Sequence, residues 1–173
     1  QMARMLGAAG CNIFYVSTVF DQSDDGPGFS DFRDLAPSVS EVRLRIGAGG
    51  GASIHFAMAA DAVTDAGAAL ARLCERIGPR PVVIIDHPAW FPICEQIRES
   101  ATIVYDCIDE ISALPGARPE TIEAEKRLLA AADIVLTSSA ALLDKIPADR
   151  GARLLPNGVD TAHFAGIADA GPG

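Results

Sequence analysis

Pro81-Val82-Val83-Ile84-Ile85-Asp86 is a short, unbroken apolar run that stops on a carboxylate, the pattern of a strand buried in a parallel sheet. Working outward, the same style recurs three times downstream. A helix expected over 91–99 leads to a strand at 102–106, a helix at 119–132 to a strand at 134–137, and a helix at 140–146 to a strand at 152–155. Pro119 suits the first turn of the second of these helices. Upstream, residues 57–77 are rich in Ala and Leu and close at Gly78-Pro79, which predicts a long helix. Strands alternating with helices of this length predict an α/β fold, a Rossmann-like doubly wound parallel sheet.

The front of the chain reads less regularly. Met2, Met5 and Leu6 make an apolar stripe at helical spacing over 1–9, and Gly10 is a natural stop before the run Ile13-Phe14-Tyr15-Val16. Residues 21–28 are a cluster of turn formers and are expected to be a loop. Val42, Leu44 and Ile46 alternate with Glu41, Arg43 and Arg45, which predicts a half-exposed strand near a sheet edge. The tract Gly47-Ala48-Gly49-Gly50-Gly51-Ala52 formally fits a dinucleotide-binding pattern, but it follows a charged, alternating strand, and the acidic residue expected ~20 positions on would fall inside a predicted helix instead of ending the next strand. It reads as a loop bordering a cleft.

Composition narrows the function classes. The chain has 173 residues, 49% of them hydrophobic and 21% charged, which suits one globular domain. A formal net charge of −9 argues against a nucleic-acid partner, since phosphate backbones reward clustered Lys and Arg. No apolar run reaches the ~20 residues that span a bilayer; peripheral membrane contact stays open. Cys11, Cys74, Cys94 and Cys107 show no metal-ligand spacing, and are read as reduced, mostly buried thiols, with Cys11 and Cys107 as small hydrophobes in or beside strands. That usage favours a cytoplasmic chain.

Ligands of open parallel sheets bind beyond the carboxyl ends of the strands, so the residues after each apolar run are the ones to weigh. Asp86-His87 follows the first run; His87, with an ordinary pKa of ~6.5, is able to donate, accept or shuttle a proton near neutrality, or else simply binds its own loop. Asp106, Asp109 and Glu110 concentrate carboxylates after the second, where they either receive sugar hydroxyls or cap and solvate a helix. Ser138 and Ser139 after the third read chiefly as an N-cap. Glu125 falls on the apolar face of its helix and needs a partner, an Arg or backbone groups beneath it, unless it sits at the margin.

Four pieces of the chain, in order, resemble the amino-terminal domain of family-4-type GT-B glycosyltransferases (glycosyl transferases group 1). Tyr105-Asp106-Cys107-Ile108-Asp109-Glu110 is similar to a Y-D-x-x-D segment. Glu125-Lys126-Arg127-Leu128-Leu129 and Ala132-Asp133-Ile134-Val135-Leu136-Thr137-Ser138-Ser139 resemble an E-x-x-L…A-D-x-V-x-x-x-S block. Pro156-Asn157-Gly158-Val159-Asp160-Thr161-Ala162-His163-Phe164 resembles the signature that ends the domain. The resemblance is specific over about the last 65 residues up to Phe164 and topological before them.

The resemblance implies an acceptor-side Rossmann-like domain over 1–164, with 165–173 leading toward a donor-binding domain whose paired-glutamate motif this sequence lacks. It implies retaining transfer from a nucleotide-sugar, a substrate rather than a cofactor, to a small-molecule or glycan acceptor in polysaccharide or glycolipid synthesis, with no metal. His87, or Asp86 in its place, is then the catalytic candidate. Asp106, Asp109, Glu110, Ser138, Asn157, Gly158 and Asp160 are cleft candidates, and Glu125 supports them. The family's first, central strand has no counterpart here, so the isolated chain is expected to be unstable, rearranged or a strand-exchanged dimer, and inactive alone. Two alternatives remain: a non-catalytic Rossmann-like binding module and a nucleotide-sugar epimerase of the same fold.

Overall fold

A computed structural model describes residues 2–47 and 53–158. In chain order the elements are α1 Met2–Ala8, β1 Ile13–Val16, β2 Asp21–Gln22, β3 Gly28–Phe29, β4 Arg33–Ala36, β5 Val39–Val42, β6 Leu44–Ile46, α2 Ala60–Ile77, β7 Val82–Ile85, α3 Phe91–Cys94, β8 Thr102–Cys107, α4 Pro119–Ala131, β9 Ile134–Thr137, α5 Ala140–Leu143 and β10 Arg153–Leu154. The fold is mixed α/β. Its second half is a parallel sheet of four strands, in the order β10-β9-β8-β7.

The register of that sheet decides what each strand buries. Val82 to Ile85 pair with Thr102 to Tyr105, and Val104 to Cys107 pair with Ile134 to Thr137. Strand alternation therefore puts Ile85, Ile103, Tyr105, Cys107, Val135 and Thr137 on one face, all buried. Because strand order never reverses among these four strands, right-handed crossovers send α3 and α4 to that same face. The opposite face carries Val82, Ile84 and Ile134, which are 63%, 41% and 44% exposed.

Helix α2 joins the two halves. Its buried stripe, Ala62, Ala66, Gly67, Ala69, Leu70, Leu73 and Cys74, packs against β3 and β6 on one side and α3 on the other. Gly78 stops it in a backbone conformation, φ 140°, that an L side chain rarely adopts. No described helix is long and apolar enough to cross a membrane.

The front half departs from expectation. Residues 21–28 contain β2 and the start of β3, so the expected loop is partly strand. Residues 39–46 are not at an edge: β5 lies between β1 and β4, and β6 between β2 and β3. Val42, Leu44 and Ile46 are fully buried, as the alternation requires. The polar face misled because its charges are matched by neighbouring strands, Glu41 by Arg33 and Arg43 by Asp21, and a central strand with one solvated face alternates just as an edge strand does. Cys11 is exposed rather than buried, whereas Cys74, Cys94 and Cys107 are buried free thiols. Burial pushes the Cys94 thiol up to about 12, so it stays protonated. Of the glycine tract only Gly47 lies within the described residues; its N–H donates to Asp65 Oδ2 at 2.9 Å.

Candidate functional site

Four connections meet beyond the carboxyl ends of the strands. The segment after β1 carries Val19, bridged antiparallel to Ser53, and Ile54 N–H donates to Thr18 O at 3.1 Å. Ile54, 2% exposed, is the apolar anchor that holds its exposed neighbours His55 and Phe56 in place. The segment after β7 supplies Asp86 and His87, and Phe20 meets Trp90 edge-on beneath it. The segment after β8 ends at Arg118, whose Nη2 donates to Ile54 O at 3.5 Å.

His87 is half-buried in extended backbone at the start of a single 3-10 turn, Pro88–Trp90, and its Nδ1 accepts from Ala89 N–H at 3.2 Å. That contact fixes the tautomer: the neutral ring keeps its proton on Nε2 and presents a donor. The His55 ring stands edge-on to it, centroids 5.5 Å apart. Burial lowers the His87 pKa below its ordinary value, the His55 ring lowers it further, Asp86 opposes both, and Arg118 adds to the lowering.

Asp106 and Asp86 follow from the register. Asp106, the penultimate residue of β8, alternates onto the sparsely covered face, and Asp86, one residue beyond the end of β7, is level with it in the register. Asp106 is 5% exposed. Its carboxylate receives no hydrogen bond from any described residue, and burial, then the Asp86 charge, raise its pKa. Two adjacent carboxylates with free lone pairs and a neighbouring Nε2–H form an acceptor–donor set suited to vicinal hydroxyls.

The remaining expected residues fall into two groups. Glu110 pairs with Lys145, and Ser138 Oγ donates to Ile108 O at 2.7 Å, so both tie neighbouring connections together. Asp109 is exposed, its backbone carbonyl accepting from Cys107 Sγ at 3.7 Å. Ser139 is the N-cap of α5, accepting from Leu142 N–H at 3.3 Å. Asn157 and Gly158 are exposed beyond β10, with no side-chain contact to the His87 group; Asp160 lies outside the described residues. Glu125 is indeed partnered, by Tyr105 Oη–H at 2.6 Å and not by the Arg or backbone groups anticipated for it. Burial raises its pKa although the phenol's hydrogen bond lowers it.

Compared with known protein families and with curated proteins, the sequence finds no match. Among the described residues no group of three or more His, Cys, Asp or Glu is placed to hold a metal ion. Sequence reading missed His55 and Arg118. His55 follows the glycine tract with no periodicity of its own. Arg118 carried a usable signal: it stands directly before Pro119, at a helix N-cap, where a cation opposes the helix dipole and offers no cap. A broken local rule of this kind marks a position worth inspecting.

Proposed function

We propose that the chain is the acceptor-side, Rossmann-like half of a retaining GT-B glycosyltransferase, the donor nucleotide-sugar being held mainly by a companion domain. The observation that carries the reading is the convergence of His87, Asp86 and Asp106 at the carboxyl ends of adjacent parallel strands, Asp106 within the glycosyltransferase-like stretch and Asp86 and His87 after the strand that pairs with it. His87 Nε2–H is the donor toward a sugar or acceptor oxygen, and Asp86 and Asp106 accept from hydroxyl groups and orient them. Glu125 acts at one remove, holding Tyr105 and hence β8 beneath α4.

The test is sugar transfer from nucleotide-sugars to glycan or glycolipid acceptors by the protein that carries this chain. His87→Ala is expected to lower kcat by roughly 10²–10⁴-fold, the usual worth of a positioned proton donor or acceptor. Asp106→Asn is expected to lower it too, without loss of thermal stability. Transfer undiminished in both variants would end the proposal.

A further inference from the structure

We propose that His55, His87 and Arg118 form a binding site for one phosphoryl group. Three groups able to carry or donate positive charge come from three separate connections and meet. The imidazoles stand 5.5 Å apart edge-on, and Arg118 reaches the carbonyl of Ile54, the residue next to His55. Arg118 is half-buried and forms no ion pair with any carboxylate among the described residues. It also stands at the N-cap of α4, a helix of 13 residues, with no side-chain cap hydrogen bond. An unpaired guanidinium that adds to a helix's positive end is costly in place and is relieved by an anion.

The groups acting on His87 are His55 and Arg118, which are cationic or neutral, and Asp86, which alone is anionic. Asp86, which is exposed, acts on His87 but forms no ion pair with Arg118. The form of the anion follows from the donors. With Nδ1 of His87 occupied by Ala89 N–H, its Nε2–H is left free as a donor; that donor, the His55 ring and a forked guanidinium come from three separate connections, and a phosphoryl group offers three oxygens where a carboxylate offers two. The site stands on this geometry alone. This assignment rests on the transferase reading: the phosphoryl belongs to the acceptor, its hydroxyls lying toward Asp86 and Asp106.

The experiment uses the full chain with isotope-labelled histidines. Titration with inorganic phosphate, and separately with sulfate, is expected to shift the His55 and His87 ring signals saturably in the millimolar range. Sulfate keeps its charge across the histidine range and is expected to bind more tightly at pH ~6 than at pH ~8, because the positive charge of protonated His87 facing the anion outweighs the loss of the Ala89 N–H contact to Nδ1. Arg118→Met should weaken binding roughly tenfold or more, as loss of a charge-assisted contact implies, and Arg118→Lys should restore part of it. His55→Ala, a change at an exposed side chain, serves if Arg118→Met fails to fold. No saturable shift in the natural chain, or a folded Arg118→Met or His55→Ala variant that binds as tightly, overturns the site. Co-sedimentation with phosphatidylcholine vesicles containing phosphatidic acid, set against pure phosphatidylcholine and against soluble glycerol phosphate, assigns the phosphoryl to a lipid headgroup or a free ligand. Phosphate binding retained with sugar transfer absent sinks the transferase reading and leaves the site standing; transfer present without anion binding does the reverse.

Discussion

Tyr105 and Asp106 are neighbours on β8 that point to opposite faces, and their contrasting surroundings separate what stabilises this region from what serves the site. Tyr105 donates to Glu125 under α4; Tyr105→Phe removes the donor from a half-buried carboxylate and should cost about 1–2 kcal/mol in urea unfolding. Glu125→Ala should destabilise as well, and the double variant should cost less than the sum, since both changes remove one shared bond. A thermal midpoint unmoved by either change would mean that the bond is not formed. Asp106 is the opposite case, buried with no donor. Its folded pKa is raised above 3.8, so between 3.8 and that raised value the native state holds a proton the unfolded chain has lost. Stability therefore falls as pH rises through this window and stays lower above it. Asp106→Asn should gain about 1 kcal/mol at pH ~7, roughly 2–4 °C in Tm, and nothing at pH ~3. A variant that loses both Tm and activity at neutral pH would contradict the assignment of Asp106 as a group kept for function.

The elements divide by how they are specified, and that division explains which were legible in the sequence. Strands β7, β8 and β9 each carry their own signal, a continuous apolar run, although only β8 is buried along nearly all its length: the buried strand expected at 82–85 has Val82 and Ile84 exposed because no helix covers that face. Strands β2 and β3 are two residues long and exist only through pairing with β6; no pattern within Asp21-Gln22 or Gly28-Phe29 announces that partner. At the site, His87, Asp86 and Asp106 were legible because they end apolar runs, whereas His55 and Arg118 are brought in by loop contacts to Ile54 that no spacing encodes. Helix α2 shows the same dependence on a neighbour at Gly67, where an added Cβ would fall 1.9 Å from Nε2 of Gln96, the side chain that donates to Val63 O at 3.1 Å. Gly67→Ala must push Gln96 aside and lose that bond, offsetting the helix propensity gained, each worth about 1 kcal/mol. Near-neutral stability is expected for Gly67→Ala alone. In a Gln96→Ala background the same change should stabilise by up to about 1 kcal/mol; an equal effect in both backgrounds would show that Gln96 is not what occupies the space.

For the molecule as a whole, the asymmetry of the parallel sheet is the dominant physical fact. Parallel sheets are normally covered on both faces, and here one face has α3 and α4 while the other leaves Val82, Ile84 and Ile134 partly exposed around the buried Val104. Among the described strands β7 pairs only with β8, so its outer backbone groups are also unmatched by any strand. An apolar face and an open strand edge at the same place favour association of copies by edge pairing or face burial. The net charge of −9 opposes association over distances beyond the Debye length, about 8 Å at physiological salt, and does so less as salt rises. The chain is therefore expected to show concentration-dependent association in sedimentation velocity that strengthens with added salt. Ile84→Lys places a charge on the exposed face of the edge strand, where it meets water in the isolated chain but would be buried on pairing. That variant should stay monomeric at concentrations where the natural chain associates, with far-ultraviolet dichroism unchanged. A natural chain that sediments as a monomer across this range and unfolds cooperatively would show that the open face and edge are tolerated as they stand.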